Sequence, residues 1–108
     1  MLLRSCLIAA LILAAGCARR DFGGLCKLAT EILTEPRTTP PMRFARFMEQ
    51  APNVAFGRQA RRLVEAIANA PPDMRYELTV ASAREAGLDA WSCPALASVL
   101  NPPAETSN

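Results

Sequence analysis

The chain has 108 residues, with 12 basic and 10 acidic side chains, nine prolines and no histidine. The missing imidazole removes the commonest general base and the commonest side-chain ligand of transition metals. A nearly neutral chain argues against a general nucleic-acid binder, and this length allows at most one small domain.

The first 16 residues have the layout of a secretory signal. Residues 1–4 carry one positive charge, and residues 5–16 contain no charged side chain. This uncharged run of about a dozen residues is shorter than the roughly 20 that a membrane-spanning helix needs. A basic start followed by a short apolar segment indicates a signal peptide, which we predict over residues 1–16.

The signal ends in Leu13-Ala14-Ala15-Gly16-Cys17, which resembles the lipobox of bacterial lipoproteins. One difference is Ala14, three residues before the cysteine, where Leu is most frequent. The resemblance implies a diacylglyceryl group on the sulfur of Cys17, cleavage between Gly16 and Cys17, and acylation of the new amino terminus. The alternative is an ordinary secretory signal that is cut near Ala15 or Ala18.

Acylation of Cys17 would make membrane lipid the first partner of the protein. Each buried methylene of a fatty chain such as palmitate contributes about 0.8 kcal/mol, and two chains anchor a protein stably. Enterobacterial lipoproteins with Asp after the cysteine stay in the inner membrane, whereas this chain has Ala18 there. The resemblance therefore implies the periplasmic face of the outer membrane rather than the inner membrane.

Two cysteines remain in the mature chain, because Cys6 leaves with the signal and lipid occupies Cys17. In an exported domain, Cys26 and Cys93 are most simply one structural disulfide. Closing the loop of about 67 residues between Cys26 and Cys93 would stabilise the fold by about 4 kcal/mol. The alternatives are a redox or small-ligand site that uses this pair near Trp91, and a metal site. A redox pair is usually closer in sequence, and a metal site needs further ligands.

The mature chain is predicted to begin with a tether and a first helix. Residues 17–24 are polar and contain two glycines, which favours a flexible lipidated tether. Arg19 and Arg20 would either be solvated or face lipid phosphates. The first helix is predicted over residues 25–35, before Pro36. Its apolar face contains Leu25, Leu28, Ala29, Ile32 and Leu33.

The next two helices are predicted over residues 40–51 and 53–69. Thr39 followed by Pro40 is a helix start, and Asn53 is the expected cap of the third helix. The second helix is expected to bury Phe44, Phe47, Met48 and Ala51. The third is expected to bury Phe56, Ala60, Leu63, Val64 and Ile67.

The last part of the chain predicts two more helices. Asp73 is the expected cap of a helix over residues 74–86, which Gly87 should end with a positive φ. A short helix over residues 94–100 follows, capped by Ser92 or Cys93, with Trp91 packed on the disulfide. We predict an all-α fold over residues 25–100, a small bundle of four helices plus a short C-terminal helix closed by one disulfide, and a disordered tail over 101–108.

No motif indicates catalysis, a cofactor or a bound metal. The sequence contains no histidine, no P-loop and no Gly-rich dinucleotide motif, and its carboxylates lie mostly on predicted polar faces. The candidate binding surface is a basic patch for an anionic partner, with a solvated helix face as the alternative. Its residues are Arg43, Arg46, Arg58, Arg61 and Arg62.

These observations favour a non-catalytic envelope lipoprotein that acts as a structural or partner-binding module. Its mature part is also similar, in a general way, to small helical lipoproteins of bacteria, a resemblance that implies no activity. The expected partners are membrane lipid and an envelope protein or polymer, not nucleic acid. The alternative is a periplasmic redox or small-ligand-binding protein that uses Cys26 and Cys93 near Trp91.

Overall fold

A computed structural model describes the backbone of residues 2–102 and the side chains of residues 18–102. The all-α class is confirmed, since the described residues contain helices and turns but no strand. The five α-helices are α1 (Leu2–Leu33), α2 (Pro40–Gln50), α3 (Arg58–Ala68), α4 (Arg75–Glu85) and α5 (Pro94–Leu100). Two short 3-10 turns cover Ala51–Asn53 and Pro72–Met74.

The packed part of the chain begins earlier than the predicted boundary at Leu25. Helix α1 is continuous through residues 17–24, which we expected to be a flexible tether. Asp21 and Phe22 in this segment are only 2% and 1% exposed. Phe22 lies three residues before Leu25 and extends the apolar face of the helix by one turn. Burial of these side chains outweighs the roughly 1 kcal/mol that each glycine costs inside a helix.

The start of α2 agrees with the prediction. Thr39 has extended backbone angles, and its hydroxyl accepts the amide N–H of Met42 at 3.4 Å. Pro40 occupies the first helical position, where its missing N–H costs no hydrogen bond. Phe47 and Ala51 are fully buried, while Phe44 and Met48 are partly buried against the core.

The start of α3 differs from the prediction. Asn53 belongs to a 3-10 turn, and Gly57 is the residue that precedes the helix. Phe56 therefore lies outside α3, and its side chain is 61% exposed instead of buried. The cause is a contact with Asp21 of α1, which holds residues 56 and 57 in a loop. The rest of the predicted stripe, from Ala60 to Ile67, is buried.

The start of α4 also differs, because Asp73 is not its cap. Asn101, which directly follows α5 in the chain, performs part of that role. Its Oδ1 accepts the amide N–H of Tyr76 at 3.1 Å, and its Nδ2 donates to the carbonyl of Asp73 at 3.2 Å. Asn101 is therefore part of the fold, whereas we predicted disorder from residue 101. The rest of that predicted tail, 103–108, lies outside the described residues.

The end of α4 and the start of α5 agree with the prediction. Gly87 follows α4 with φ 90°, a value that glycine adopts readily. Helix α5 begins at Pro94, and Cys93 precedes it with extended backbone angles. The sulfur of Cys93 accepts the amide N–H of Leu96 at 3.4 Å. Of the two expected caps, Cys93 is the correct one.

The predicted disulfide is confirmed. Cys26 of α1 and Cys93 are bonded, with their Cα atoms 5.9 Å apart. The Trp91 ring packs edge-on against Phe22, with 5.4 Å between the ring centroids, and lies 6.4 Å from the ring of Tyr76. The Tyr76 hydroxyl accepts the amide N–H of Cys93 at 2.8 Å. The disulfide thus lies beside an aromatic cluster that connects α1, α4 and the segment before α5.

One hydrophobic core connects all five helices. Helix α1 packs against α2, α3 and α5, while α5 also packs against α2 and α4, and α3 packs against α4. The largest fully buried apolar side chains are Phe22, Phe47, Leu25, Ile32, Ile67, Leu96, Leu100 and Val99. A core of this size gives a small domain little stability to spare.

We predict that replacing both bridged cysteines, Cys26→Ser with Cys93→Ser, lowers the free energy of unfolding by about 4 kcal/mol, because the unfolded chain regains the entropy of a 67-residue loop. Urea unfolding of the mature protein, followed by far-UV circular dichroism, measures this loss. Reduction of the unsubstituted protein should give a similar loss. A change below about 1 kcal/mol would show that the helices hold the fold without the bridge.

Candidate functional site

Asp21 is a buried carboxylate one helical turn after Cys17. Its Oδ2 accepts the amide N–H of Gly57 at 2.8 Å, and its Oδ1 accepts that of Phe56 at 3.2 Å. A charged acceptor makes such bonds stronger than neutral ones, and it compensates the cost of burying the group. The two bonds hold the loop before α3 against the part of α1 that follows Cys17.

Gly57 is required at this position by close approach. A Cβ atom on Gly57 would lie 2.7 Å from Oδ2 of Asp21, a distance that no side chain tolerates without a shift. The backbone angles of Gly57, φ −74° and ψ 154°, are open to any residue, so conformational freedom is not the reason. The carboxylate also lies at the N-terminal end of α3, where the helix dipole favours negative charge.

Sequence analysis missed Asp21, because we assigned it to a tether. One signal could have indicated it. Asp21, Leu25 and Leu28 follow the spacing of one helix face, and the two leucines are buried. An acidic residue that continues an apolar stripe indicates a buried carboxylate with partners elsewhere in the fold.

Arg19 lies at the same end of the domain as Asp21, beside the loop between α4 and α5. Arg19 and this loop together line a shallow, open depression of about 400 Å³. Its walls are Arg19, Gly87, Leu88, Asp89, Ala90 and Trp91. This loop and the loop that holds Phe56 therefore both lie next to residues 19–21 of α1. We call this region the anchor-proximal end, after the predicted lipidation site at Cys17, and define it by Arg19, Arg20, Asp21, Phe56 and residues 87–91.

The five arginines of the predicted basic patch have different surroundings. Arg46 forms an ion pair with Glu35, and Nε of Arg43 donates to the Thr38 hydroxyl at 3.0 Å. Nε of Arg61 donates to the carbonyl of Ala55 at 3.3 Å. These three side chains contact the connections that adjoin their own helices.

The remaining two arginines, Arg58 and Arg62, share an open cleft between α3 and α4. Its volume is about 490 Å³, within the range of small-molecule sites. Glu85 and Ser82 of α4 also line it, and apolar side chains such as Leu63 of α3 complete the lining. Nε2 of Gln59 donates to the carbonyl of Ser82 at 3.1 Å and connects the two walls.

The lining of the cleft is complementary to a molecule that has both apolar and acidic groups. Two arginines and one glutamate line the cleft, so basic side chains outnumber the acidic one. Arginine binds carboxylate or phosphate through two parallel hydrogen bonds. The cleft contains neither cysteine nor histidine. Within the described residues no group of three His, Cys, Asp or Glu side chains is arranged to hold a metal ion.

The disulfide is a less suitable site for chemistry than the cleft. Cys93 is 1% exposed and Cys26 is partly buried, so the sulfur of Cys93 has little contact with solvent. A redox-active bridge is usually accessible to its reaction partner. The burial of Cys93 favours a structural bridge.

Comparisons with protein-family models, with curated proteins and with solved structures find no match to this chain. Among the residues that the structure describes, no helix combines the length and the apolar character needed to cross a membrane. The geometry of the cleft and of the anchor-proximal end, together with the sequence motifs, is therefore the basis for assigning a function.

We predict that Gly57→Ala destabilises the domain by about 1–3 kcal/mol, because the new methyl group must displace the Asp21 carboxylate and weaken two hydrogen bonds. The matched control is Gly23→Ala in α1, where a Cβ meets nothing within 4 Å. That change should stabilise the protein by up to about 1 kcal/mol through helix propensity. Thermal unfolding of both variants measures the contrast. Equal effects of the two substitutions would contradict the proposed role of the close approach.

Proposed function

We propose that this protein is a lipid-anchored lipoprotein of the bacterial envelope, whose helical domain binds a partner without catalysing a reaction. The observation that carries the proposal is the stretch Leu13-Ala14-Ala15-Gly16-Cys17, which resembles a lipobox and directly precedes a folded domain. Acylation at Cys17 would attach that domain to a membrane through its first residue.

The disulfide supports the exported location. Disulfides persist in oxidising compartments such as the bacterial periplasm and are rare in the cytosol. Once Cys17 carries lipid and the signal has been removed, the Cys26–Cys93 bond leaves no free thiol in the mature chain. Ala18 in place of Asp favours the periplasmic face of the outer membrane.

We also infer an up-and-down arrangement of α1 to α4, with α5 completing it. Three contacts support this arrangement. The loop before α3 bonds to Asp21, the loop after α4 adjoins Arg19, and Asn101 after α5 bonds near the start of α4. Successive connections would then alternate between the anchor-proximal end and the opposite end.

The α3–α4 cleft is the proposed partner site. It places Arg58 and Arg62 beside apolar side chains on a surface that runs along the helices. A protein segment or an envelope polymer with acidic groups fits these features, because guanidinium groups pair with carboxylates and phosphates. The proposal includes no cofactor and no metal.

We predict that Cys17→Ser abolishes lipid attachment, because the diacylglyceryl group is transferred to a cysteine sulfur and serine has none. The variant should keep its signal peptide or be processed elsewhere, and the mature amino terminus at residue 17 should disappear. Mass spectrometry of the protein from membrane fractions measures both effects. Cys6→Ser is the matched control, since it changes a cysteine inside the signal and should leave acylation intact. An unmodified amino terminus at Cys17 in the natural protein would refute the anchor.

For the cleft, we predict that a photo-crosslinking amino acid at Ala66 or Ala81 captures a discrete partner in intact cells. Both residues line the cleft and are exposed. The same group at exposed Ala45 of α2 is the control and should capture nothing specific. Combining the probe with Arg58→Gln and Arg62→Gln should remove the product, because the acidic partner loses its counter-charges. Capture that survives both substitutions would contradict the basic character of the site.

A further inference from the structure

We propose that the anchor-proximal end of the domain lies directly on the lipid bilayer, with Phe56 at the interface and Arg19 and Arg20 against anionic headgroups. This proposal rests on the proposed acylation of Cys17 and adds to it a defined orientation and a protein surface that contacts lipid. The usual alternative is a domain on a flexible tether, away from the membrane.

The connection between the acylated residue and the core is short and rigid. Cys17 belongs to α1, and Asp21 is only four residues further along the same helix. Four helical residues rise about 6 Å, similar to the roughly 5–8 Å depth of the headgroup region of one leaflet. Asp21 and Phe22 are 2% and 1% exposed, so this part of α1 cannot pivot without unpacking the core.

Phe56 lies at the same end of the domain as Cys17. Its amide N–H donates to Oδ1 of Asp21 at 3.2 Å, which places its backbone at the level of the first turns of the mature helix. Its side chain is 61% exposed, more than the exposed side chains of Met42 (49%) and Met74 (44%). An exposed aromatic ring next to a membrane anchor would be buried in the interface, where amphipathic proteins place such rings.

Basic side chains accompany Phe56 at this end of the domain. Arg19 and Arg20 are exposed and lie two and three residues after Cys17. The carboxylate of Asp21 is buried and bonded to two amides. The depression beside Arg19 is lined by one acidic side chain, Asp89. Two arginines against one exposed carboxylate complement the phosphates of an anionic leaflet. Apolar and basic groups thus occur together at the end that carries the anchor.

The test measures the depth of single tryptophans in the lipidated protein. The natural protein is extracted from membranes with its lipid and placed in vesicles of phosphatidylethanolamine and phosphatidylglycerol, with and without bromine in the acyl chains. Trp91→Phe removes the natural tryptophan, and Phe56→Trp adds one at the proposed interface. Met42→Trp is the matched control, because Met42 is 49% exposed in the first turn of α2. That turn follows the far end of α1, roughly 24 Å along the helix from Cys17.

We expect bromolipids to remove about half of the emission of the tryptophan at position 56, since interfacial side chains lie roughly 5–10 Å into the headgroup boundary. The tryptophan at position 42 should keep its emission. Arg19→Gln with Arg20→Gln should lower the ratio of docked to undocked protein roughly 30-fold on anionic vesicles. The quenching at position 56 should fall accordingly, while the anchor stays in the membrane.

Flotation of the same samples separates the two proposals. Protein that floats with the vesicles but shows no quenching at position 56, or equal quenching at both positions, overturns the docked orientation and leaves the anchor intact. Protein that does not float overturns the anchor and the docked orientation together. Quenching at position 56 that is unchanged in the arginine variant overturns the role of Arg19 and Arg20.

Discussion

The bond between Cys26 and Cys93 is the constraint on which this small fold depends. It joins α1 to the residue that begins α5, and these two helices together contact every other helix of the domain. Without the bond, one modest core would have to offset the conformational entropy of the whole domain. The aromatic cluster of Phe22, Tyr76 and Trp91 packs where α1, α4 and the start of α5 meet, so covalent and noncovalent links act at the same place.

Asp21 is the second constraint, and it changes the relation between anchor and domain. A buried carboxylate with two amide partners is costly to expose or to leave unpaired. It therefore keeps the α1 turn after Cys17 packed against the loop before α3. Under the proposed acylation, the lipid and the domain would move as one body, and the membrane would set the orientation of every surface of the domain.

Two surfaces with different chemistry follow from this arrangement. The cleft runs along the sides of α3 and α4 and combines Arg58 and Arg62 with apolar side chains. The anchor-proximal end has an exposed aromatic ring and two arginines. Under the proposed anchoring, a domain docked by its end would leave the cleft open to solvent. The other arginines of the predicted patch have local partners, as Arg46 has in Glu35, which suits them to surface stabilisation.

The sequence by itself determined the features that arise within a few residues or from counting. Thr39-Pro40 and Gly87 mark helix ends through local backbone chemistry, and the stripe from Ala60 to Ile67 marks a buried face. With the predicted signal and lipidation site set aside, the four cysteines leave one pair, Cys26 and Cys93, which the structure bridges. Only the tertiary structure decided which amides Asp21 binds, that Phe56 is exposed and that Asn101 caps α4. The partners of these residues lie 25 to 36 positions away in the chain. Helical periodicity reports which face a residue occupies, but it carries no information about which distant amide that face will meet.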